Sequence, residues 1–303
     1  VLADNQKTQT GNRDKFYTNL YELQNSSQFK GFMGKVQLTL LSDLSASDIV
    51  TRIESDGQQG LAARFALAAL NPFILEGESI NYGVFNLNGA LDRFDPESGA
   101  GMLTSSYLVD RMTMLIRKNW FNTEDKNPLD STVTFSSNNH SFQNINDYYE
   151  DVATGYKISQ GELSGSTPRY FFGGDDVDNP AASAVEDHLY GGNGDDILKG
   201  LEGNDYLEGG EGLDTYIINP GDGIDTVLDT DGVGVIQFGS VVAQGRSGVS
   251  DNKDWIRIGD TWMDQKNNLV YLRVAQDNGT YDLFVSFVGS TGSARVRIKN
   301  WSD

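Results

Sequence analysis

Apolar residues recur at the spacing of an α-helix in the first 125 residues of the chain. Thr104 or Ser105 would cap the longest of these helices. Its apolar face consists of Leu108, Met112, Leu115 and Ile116. Earlier helices are predicted behind Asn12 (with Phe16, Leu20 and Leu23 on one face), from Ser47 to about Gly57, and from Gly60 to Leu70. The pattern therefore predicts a mainly helical domain over 1–125.

Beyond residue 233 the pattern changes to the alternation of apolar and polar residues that is typical of strands. Strands are predicted at 255–258, 269–274, 281–287 and 294–298. Turn sequences such as Asp277-Asn278-Gly279 separate them, which predicts an antiparallel β-domain over 233–303. Between the helices and this domain, 126–172 reads as a connecting segment with short β-like runs at 132–135, 156–158 and 170–172.

The remaining part of the chain differs sharply in charge. The formal net charge is −20, and 173–231 carries most of it, with sixteen acidic residues, one basic residue (Lys199) and twelve glycines. This shift in composition predicts a separate module over 173–232. Its charge repels phosphate backbones and anionic lipid headgroups, so nucleic-acid binding and electrostatic membrane docking are excluded, and cations are favoured as ligands.

Other classes are excluded by what the chain lacks. It has no cysteine, which rules out disulfides, thiolate catalysis and cysteine-ligated metals. It has no apolar run of about 18 residues, so no transmembrane helix is predicted. Because it begins at Val1 without a methionine or a leader, we expect it to be a piece of a longer protein.

The acidic module is built from a nine-residue repeat. Aspartates stand at 178, 187, 196, 205 and 214, and Asp225 follows after a two-residue insertion at Ile218-Asn219. The copies at 191–199, 200–208, 209–217 and 220–228 follow the pattern G-G-x-G-x-D-x-U-x, in which U is a large apolar residue, except that Leu201 replaces a second glycine and Pro220 a first one. Glycines allow a tight turn, and the eighth residue would point inward from a short strand. One turn and one strand make half a coil, so copies two apart should stack their turns.

This repeat resembles the calcium-binding nonapeptide of the RTX (repeats-in-toxin) family, the haemolysin type. The segments 221–229 and 236–239 and the tail that ends at Trp301 resemble the flank that follows such repeats, and 64–73 and 94–99 more weakly resemble the helical region before them. The expected fold is multidomain α+β: an N-terminal mainly helical domain, a central parallel β-roll, and a C-terminal antiparallel β-domain. We expect this last domain to cap the roll, because stacked repeats need their open end covered.

The resemblance implies ligands for about two to four Ca²⁺ ions. Six or more oxygen ligands at a flexible site favour Ca²⁺ over Mg²⁺. In the family's β-roll, one turn supplies the carbonyls at positions 2 and 4 and its aspartate, and the turn two copies on supplies the carbonyls at positions 1 and 3 and its aspartate. Carried over to this chain, the four sites are Gly192, Gly194 and Asp196 with Gly209, Glu211 and Asp214; Ser183, Val185 and Asp187 with Gly200, Glu202 and Asp205; Gly174, Asp176 and Asp178 with Gly191, Asn193 and Asp196; and Leu201, Gly203 and Asp205 with Pro220, Asp222 and Asp225. Residues 173–190 depart from the pattern because they lose most glycines, and Pro180 stands where an inward apolar residue belongs.

Two functions are predicted. The first is a calcium-triggered folding and secretion module of a larger secreted bacterial protein (a toxin, adhesin or exoenzyme) that the type I secretion machinery exports and that is not itself an enzyme. The alternative is a ligand-binding or hydrolytic unit in 1–170, with any host or surface ligand left open. No nucleophile elbow or phosphate-binding loop occurs, and the candidate catalytic acids are Glu150, Asp151 and Asp92. His140 is expected in an exposed loop and His188 on the surface of the roll.

Overall fold

The computed structural model describes most of the chain, which divides into two compact units. The described residues are 26–27, 35–78, 80–124, 126–130, 132–133, 135, 146–243, 255–277, 279–288 and 294–301. The first unit is Val1–Phe94, Ala100–Tyr149 and Thr154–Glu162, and the second is Asp95–Gly99, Glu150–Ala153 and Leu163–Asp303. The predicted helix behind Asn12 and the residue His140 lie outside the described residues. The predicted division into four domains stays a prediction.

The first unit contains helices α1 (Ala46–Glu54), α2 (Gly57–Ala68) and α3 (Ser105–Thr123) and strands β1 (Val36–Leu40), β2 (Phe73–Gly77) and β4 (Tyr156–Ser159), while β3 (Tyr148–Asp151) lies across the division between the units. The antiparallel pairing of β1 with β2 was not predicted. No strand covers the described residues of the β-like run at 132–135.

Capping side chains define the beginnings of α1 and α3, whereas α2 has no side-chain cap and begins three residues before the predicted Gly60. Ser45 caps α1, two residues before the predicted start: its hydroxyl accepts from the N–H of Asp48 at 3.2 Å, and the Asp48 carboxylate accepts from the N–H of Ser45. Thr104 caps α3 as predicted, by accepting from the N–H of Tyr107 at 3.1 Å. The predicted apolar face of α3 is buried, from Leu108 to Ile116.

The second unit is built almost entirely of strands. They are β5 (Arg169–Phe172), β6 (His188–Asn193), β7 (Ile197–Leu198), β8 (Tyr206–Glu211), β9 (Thr215–Ile218), β10 (Gly223–Leu228), β11 (Val235–Phe238), β12 (Val241–Val242), β13 (Trp255–Ile258), β14 (Thr261–Asp264), β15 (Leu269–Ala275), β16 (Tyr281–Phe287) and β17 (Ala294–Trp301). All four strands predicted beyond residue 233 are present; β11, β12 and β14 were missed, and β17 extends further than predicted.

Parallel strands from alternate copies form the β-roll that the nine-residue spacing predicts. One sheet carries β5, β6, β8 and β10 side by side, and the other carries β7, β9 and β11. His188 pairs with Tyr206, and Ile197 pairs with Thr215, so each coil spans two nonamers. The insertion at 218–219 lengthens one coil, and Leu207 still pairs with Val227 across it.

The eighth residues of the nonamers form the interior of the roll, as predicted. Leu198, Leu207, Tyr216 and Val227 are each at most 1% exposed. They share one apolar core with residues of the C-terminal strands, including Trp262, Val285 and Val296. Strand β17 explains this continuity, because it lies between β16, to which it is antiparallel, and β10, to which it is parallel. Within the described residues, no helix has the length and apolar composition needed to cross a bilayer.

Candidate metal centre

The turns of the repeats stack in two columns, one along each edge of the roll. The first column contains 173–178, 191–196 and 209–214, in which Gly192 lies opposite Gly210. The second contains 182–187, 200–205 and 220–225, in which Gly203 bridges to Gly223. Each pair of turns that the sequence predicts to form a site is therefore brought together, including the pair that spans the insertion.

A ladder of hydrogen bonds links the aspartates within each column. The main-chain N–H of each aspartate donates to Oδ1 of the aspartate in the next stacked turn. These bonds join Asp178 to Asp196 (2.7 Å), Asp187 to Asp205 (2.7 Å), Asp196 to Asp214 (2.9 Å) and Asp205 to Asp225 (3.1 Å). One oxygen of each receiving carboxylate is thus held in place by the backbone.

The second carboxylate oxygen distinguishes the regular copies from the irregular ones. Among the residues that the structure describes, Oδ2 finds no hydrogen-bond partner in four aspartates that are at most 1% exposed: Asp196, Asp205, Asp214 and Asp225. In the irregular copies, by contrast, Oδ2 of Asp178 accepts from the N–H of Gly174 at 2.8 Å, and Oδ2 of Asp187 accepts from the N–H of Ser183 at 2.5 Å. Buried polar atoms are rarely left unpaired, so these four Oδ2 atoms indicate a ligand that the protein itself does not supply.

The first glycine of the three adjacent nonamers, 191–217, makes room for this carboxylate. A Cβ atom on Gly191, Gly200 or Gly209 would overlap Oδ2 of the aspartate five residues later in the same turn. A different constraint acts at positions 2 and 4, where Gly192 and Gly194 have φ angles of 101° and 115°. Such angles are costly for residues with a Cβ atom.

Burial makes these carboxylates hard to ionise without a cation. It raises the pKa of Asp205 to about 8 and that of Asp225 to about 7, and neighbouring aspartates in the column add to the effect. The pKa of Asp196 is raised to about 6 and that of Asp214 is also raised, again mainly by burial. A cation between the turns would supply the missing positive charge.

The donor set fits a hard divalent cation. Each pair of stacked turns presents two carboxylates and several backbone carbonyls, and oxygen ligands of this kind suit Ca²⁺. Some of these carbonyls also take part in stacking: that of Glu211 accepts from the N–H of Gly194 at 2.8 Å, and that of Asp222 from Gly203 at 2.8 Å. A carbonyl oxygen has two lone pairs, so one bond leaves it able to bind a metal. No group of three or more His, Asp or Glu side chains suited to a metal ion occurs among the described residues, and the predicted sites use only two.

The candidate catalytic acids lie elsewhere. Asp92 accepts from the amide of Asn86 at 3.0 Å, and Asp151 is buried in β3. His188 lies in β6 with 22% of its side chain exposed.

Sequence reasoning missed Asp229, whose carboxylate accepts from the hydroxyl of Tyr216 at 3.1 Å. Its sequence signal is weak: Asp229 lies twenty residues after Gly209, one lengthened coil further on, at a position where the repeat has a glycine and not an aspartate.

Comparison with known proteins agrees with this geometry. The family model of the RTX calcium-binding nonapeptide repeat, in four copies, matches 183–216. A comparison of the chain with curated proteins found no match. The matched segment contains the stacked turns around Asp187, Asp196, Asp205 and Asp214. Residues 183–216 are therefore a haemolysin-type calcium-binding repeat region of the RTX family.

Proposed function

We propose that this chain is a calcium-triggered folding and export module of a larger secreted bacterial RTX protein. The observation that carries the proposal is the set of four buried, unpartnered Oδ2 atoms at Asp196, Asp205, Asp214 and Asp225. Oxygens in this state are expensive to bury, and a divalent cation would satisfy them.

Calcium would act as a folding trigger because of the charge of the module. The sixteen acidic residues in 173–231 repel one another when the roll is compact, and a single basic residue, Lys199, offsets them. Binding of Ca²⁺ neutralises the turns and couples metal affinity to folding. We expect affinities on the order of 10⁻⁴–10⁻³ M, as in extracellular calcium modules.

The ligands we propose are the stacked turns themselves. Asp196 and Asp214 with the carbonyls of their turns form the best site, because both turns follow the full pattern and Oδ2 of each is unpartnered. Asp205 and Asp225 form a second site of the same kind. The pairs that include Asp178 or Asp187 bind more weakly, since the Oδ2 atoms of these two already accept from their own turns.

This affinity range suits a protein that folds after export. Free calcium in the bacterial cytosol is too low to fill weak sites, whereas the medium contains millimolar calcium. The chain would stay unfolded inside the cell, pass through the narrow type I secretion channel and fold outside. The parent protein would be a toxin, an adhesin or an exoenzyme, and this chain would supply its secretion module.

The C-terminal strands would cap the roll. The parallel pairing of β17 with β10 and the shared core of Val296 with Val227 support this role, because they cover the last strand of one sheet. Capping of an end strand protects both its apolar face and its unpaired backbone groups.

A calcium titration tests the proposed function. Circular dichroism of the full chain in metal-free buffer should show a gain of β-structure as Ca²⁺ reaches the millimolar range, reversed by chelator. A matched titration with Mg²⁺ is the control for general charge screening. A β-signal that neither Ca²⁺ nor chelator changes would contradict the proposal.

A further inference from the structure

The turn 229–234 continues the column that contains 209–214, but it departs from the repeat. Val235 pairs with Thr215, and its N–H donates to the carbonyl of Asp214 at 2.7 Å. Counting back along both strands, Gly234 aligns with Asp214, and Asp229 aligns with Gly209. The regular turn begins with glycine and ends with aspartate, whereas this turn begins with aspartate and ends with glycine.

The exchange preserves the position of the carboxylate. In the regular turn, a Cβ atom on Gly209 would overlap Oδ2 of Asp214. In the exchanged turn, a Cβ atom on Gly234 would overlap Oδ2 of Asp229. The carboxylate therefore fills the same space between the first and sixth residues of the turn, and it enters that space from the opposite end.

Other oxygen atoms surround this position. The hydroxyl of Tyr216 bonds Oδ2 of Asp229 at 3.1 Å and accepts from the N–H of Gly209 at 2.9 Å. Asp231 lies in the same turn as Asp229, and its Oδ2 accepts from the N–H of Gly212 in the turn 209–214 at 2.9 Å. Side chains of the turn 229–234 thus connect it to the turn 209–214.

Asp214 supplies the second observation. Its Oδ2 is buried and unpartnered, and it lies beside the Tyr216 hydroxyl, since a Cβ atom on Gly209 would overlap both atoms. The negative charge of Asp231 contributes to the raised pKa of Asp214, after the larger effect of burial. An unsatisfied buried oxygen therefore faces the same part of the column as Asp229 and Asp231.

A purely structural role for Asp229 accounts for only part of this arrangement. Its Oδ1 accepts from the N–H of Gly232 at 2.7 Å, which stabilises the turn as an Asx motif. That role needs neither a second acidic residue at 231 nor a glycine at 234. Two neighbouring carboxylates in a half-buried turn are unfavourable unless a cation or a proton lies between them.

We propose that Asp229 completes a further Ca²⁺ site between the turns 209–214 and 229–234, in which Asp229 replaces the aspartate that Gly234 lacks. The carboxylates of Asp214 and Asp229 would bind the ion together with carbonyl oxygens of the two turns. Because Oδ2 of Asp229 already accepts from the Tyr216 hydroxyl, this site would bind more weakly than the site of Asp196 and Asp214. This site rests on the proposed function of the roll, and its second turn, 229–234, lies beyond the matched residues 183–216. It would extend the metal column to the last turn before β11.

The test counts calcium ions bound by the full chain, using calorimetry in metal-free buffer. Asp229→Asn keeps an oxygen that can accept from Gly232 but removes the charge. We expect this variant to bind one ion fewer than the unaltered chain, or to bind one ion about tenfold more weakly. Glu186→Gln, which removes one charge from an exposed side chain on the roll, is the matched control and should leave the count unchanged. Equal isotherms for Asp229→Asn and the unaltered chain would overturn the proposal.

A reciprocal variant keeps the test decisive if Asp229→Asn disturbs folding. Asp229→Gly with Gly234→Asp restores the regular order, and Gly234 has no positive φ angle that would oppose a side chain. Cε2 of Tyr216 lies 2.7 Å from the new Cβ position, so this ring has to shift. We expect the double variant to recover the ion that Asp229→Gly alone loses, and a double variant no better than Asp229→Gly would contradict the proposal. If the unaltered chain binds no calcium, the proposed function fails instead.

Discussion

The main-chain N–H of Asp196 donates to Oδ1 of Asp214 at 2.9 Å, across the gap between two stacked turns. The same carboxylate leaves Oδ2 buried and unpartnered. One side chain therefore links the two turns through its first oxygen and offers the second to a cation. Because this arrangement repeats along the column, binding at one gap orders the carboxylate that faces the next, and calcium binding should be cooperative.

Asp214 should be more important than Asp178. We expect Asp214→Ala to weaken calcium binding by about tenfold or more and to reduce cooperativity, because it removes a charge from the best site. Asp178→Ala should have a smaller effect, since Oδ2 of Asp178 already accepts from the N–H of Gly174. Calorimetry of both variants checks this ranking, and equal effects would show it to be wrong.

Gly209 should not tolerate a methyl group. A Cβ atom there would overlap both Asp214 and Tyr216. We expect Gly209→Ala to destabilise the calcium-loaded chain by about 1–3 kcal/mol, as overpacking does. Gly165→Ala is the matched control, because apart from its chain neighbours no atom of the described residues lies within 4 Å of its Cβ position. Urea unfolding at saturating calcium measures both variants, and a Gly209→Ala variant as stable as the control would disagree with this packing.

Protonation of the buried aspartates should stabilise the folded roll and so partly replace the effect of calcium. Burial raises the pKa of Asp205 to about 8 and that of Asp225 to about 7 in the folded roll, from 3.8 in an exposed aspartate. The folded state thus binds protons more tightly, so its stability is greatest at low pH and is lost as the pH rises through the folded pKa values. We expect the metal-free chain to gain β-structure as the pH falls from about 8 to about 5. Circular dichroism in metal-free buffer tests this, and a loss of β-structure over that range would contradict it.

The C-terminal strands should lower the calcium concentration that the roll needs. A chain that ends after Gly239 keeps the roll through β11 but loses β17, which pairs with β10, and the buried side chain of Val296. We expect such a chain to fold only at higher calcium, because the edge of β10 and the core beneath it become exposed. Val296→Ala in the full chain should shift the midpoint in the same direction by less. A truncated chain with an unchanged midpoint would show that the tail has no capping role.

The sequence alone predicted the features that depend on local repetition. Aspartates nine residues apart, with glycines before them and an apolar residue two positions after, predict a half coil of one turn and one strand. From this follow the stacking of alternate copies, confirmed by the pairing of His188 with Tyr206, and the burial of Leu198 and Leu207. The helix cap at Thr104 was predictable for the same reason, since it depends on residues within one turn of helix.

The tertiary structure decided whatever depends on neighbours distant in the chain. The spacing could not distinguish Asp178, whose carboxylate is satisfied within its own turn, from Asp214, whose Oδ2 is not. It could not show that β17 joins β10, because strand patterns do not specify a parallel partner about seventy residues away. Nor could it relate Asp229 to Gly234, because their exchange reverses the repeat, and only the stacking of one turn on another brings the carboxylate to the same place.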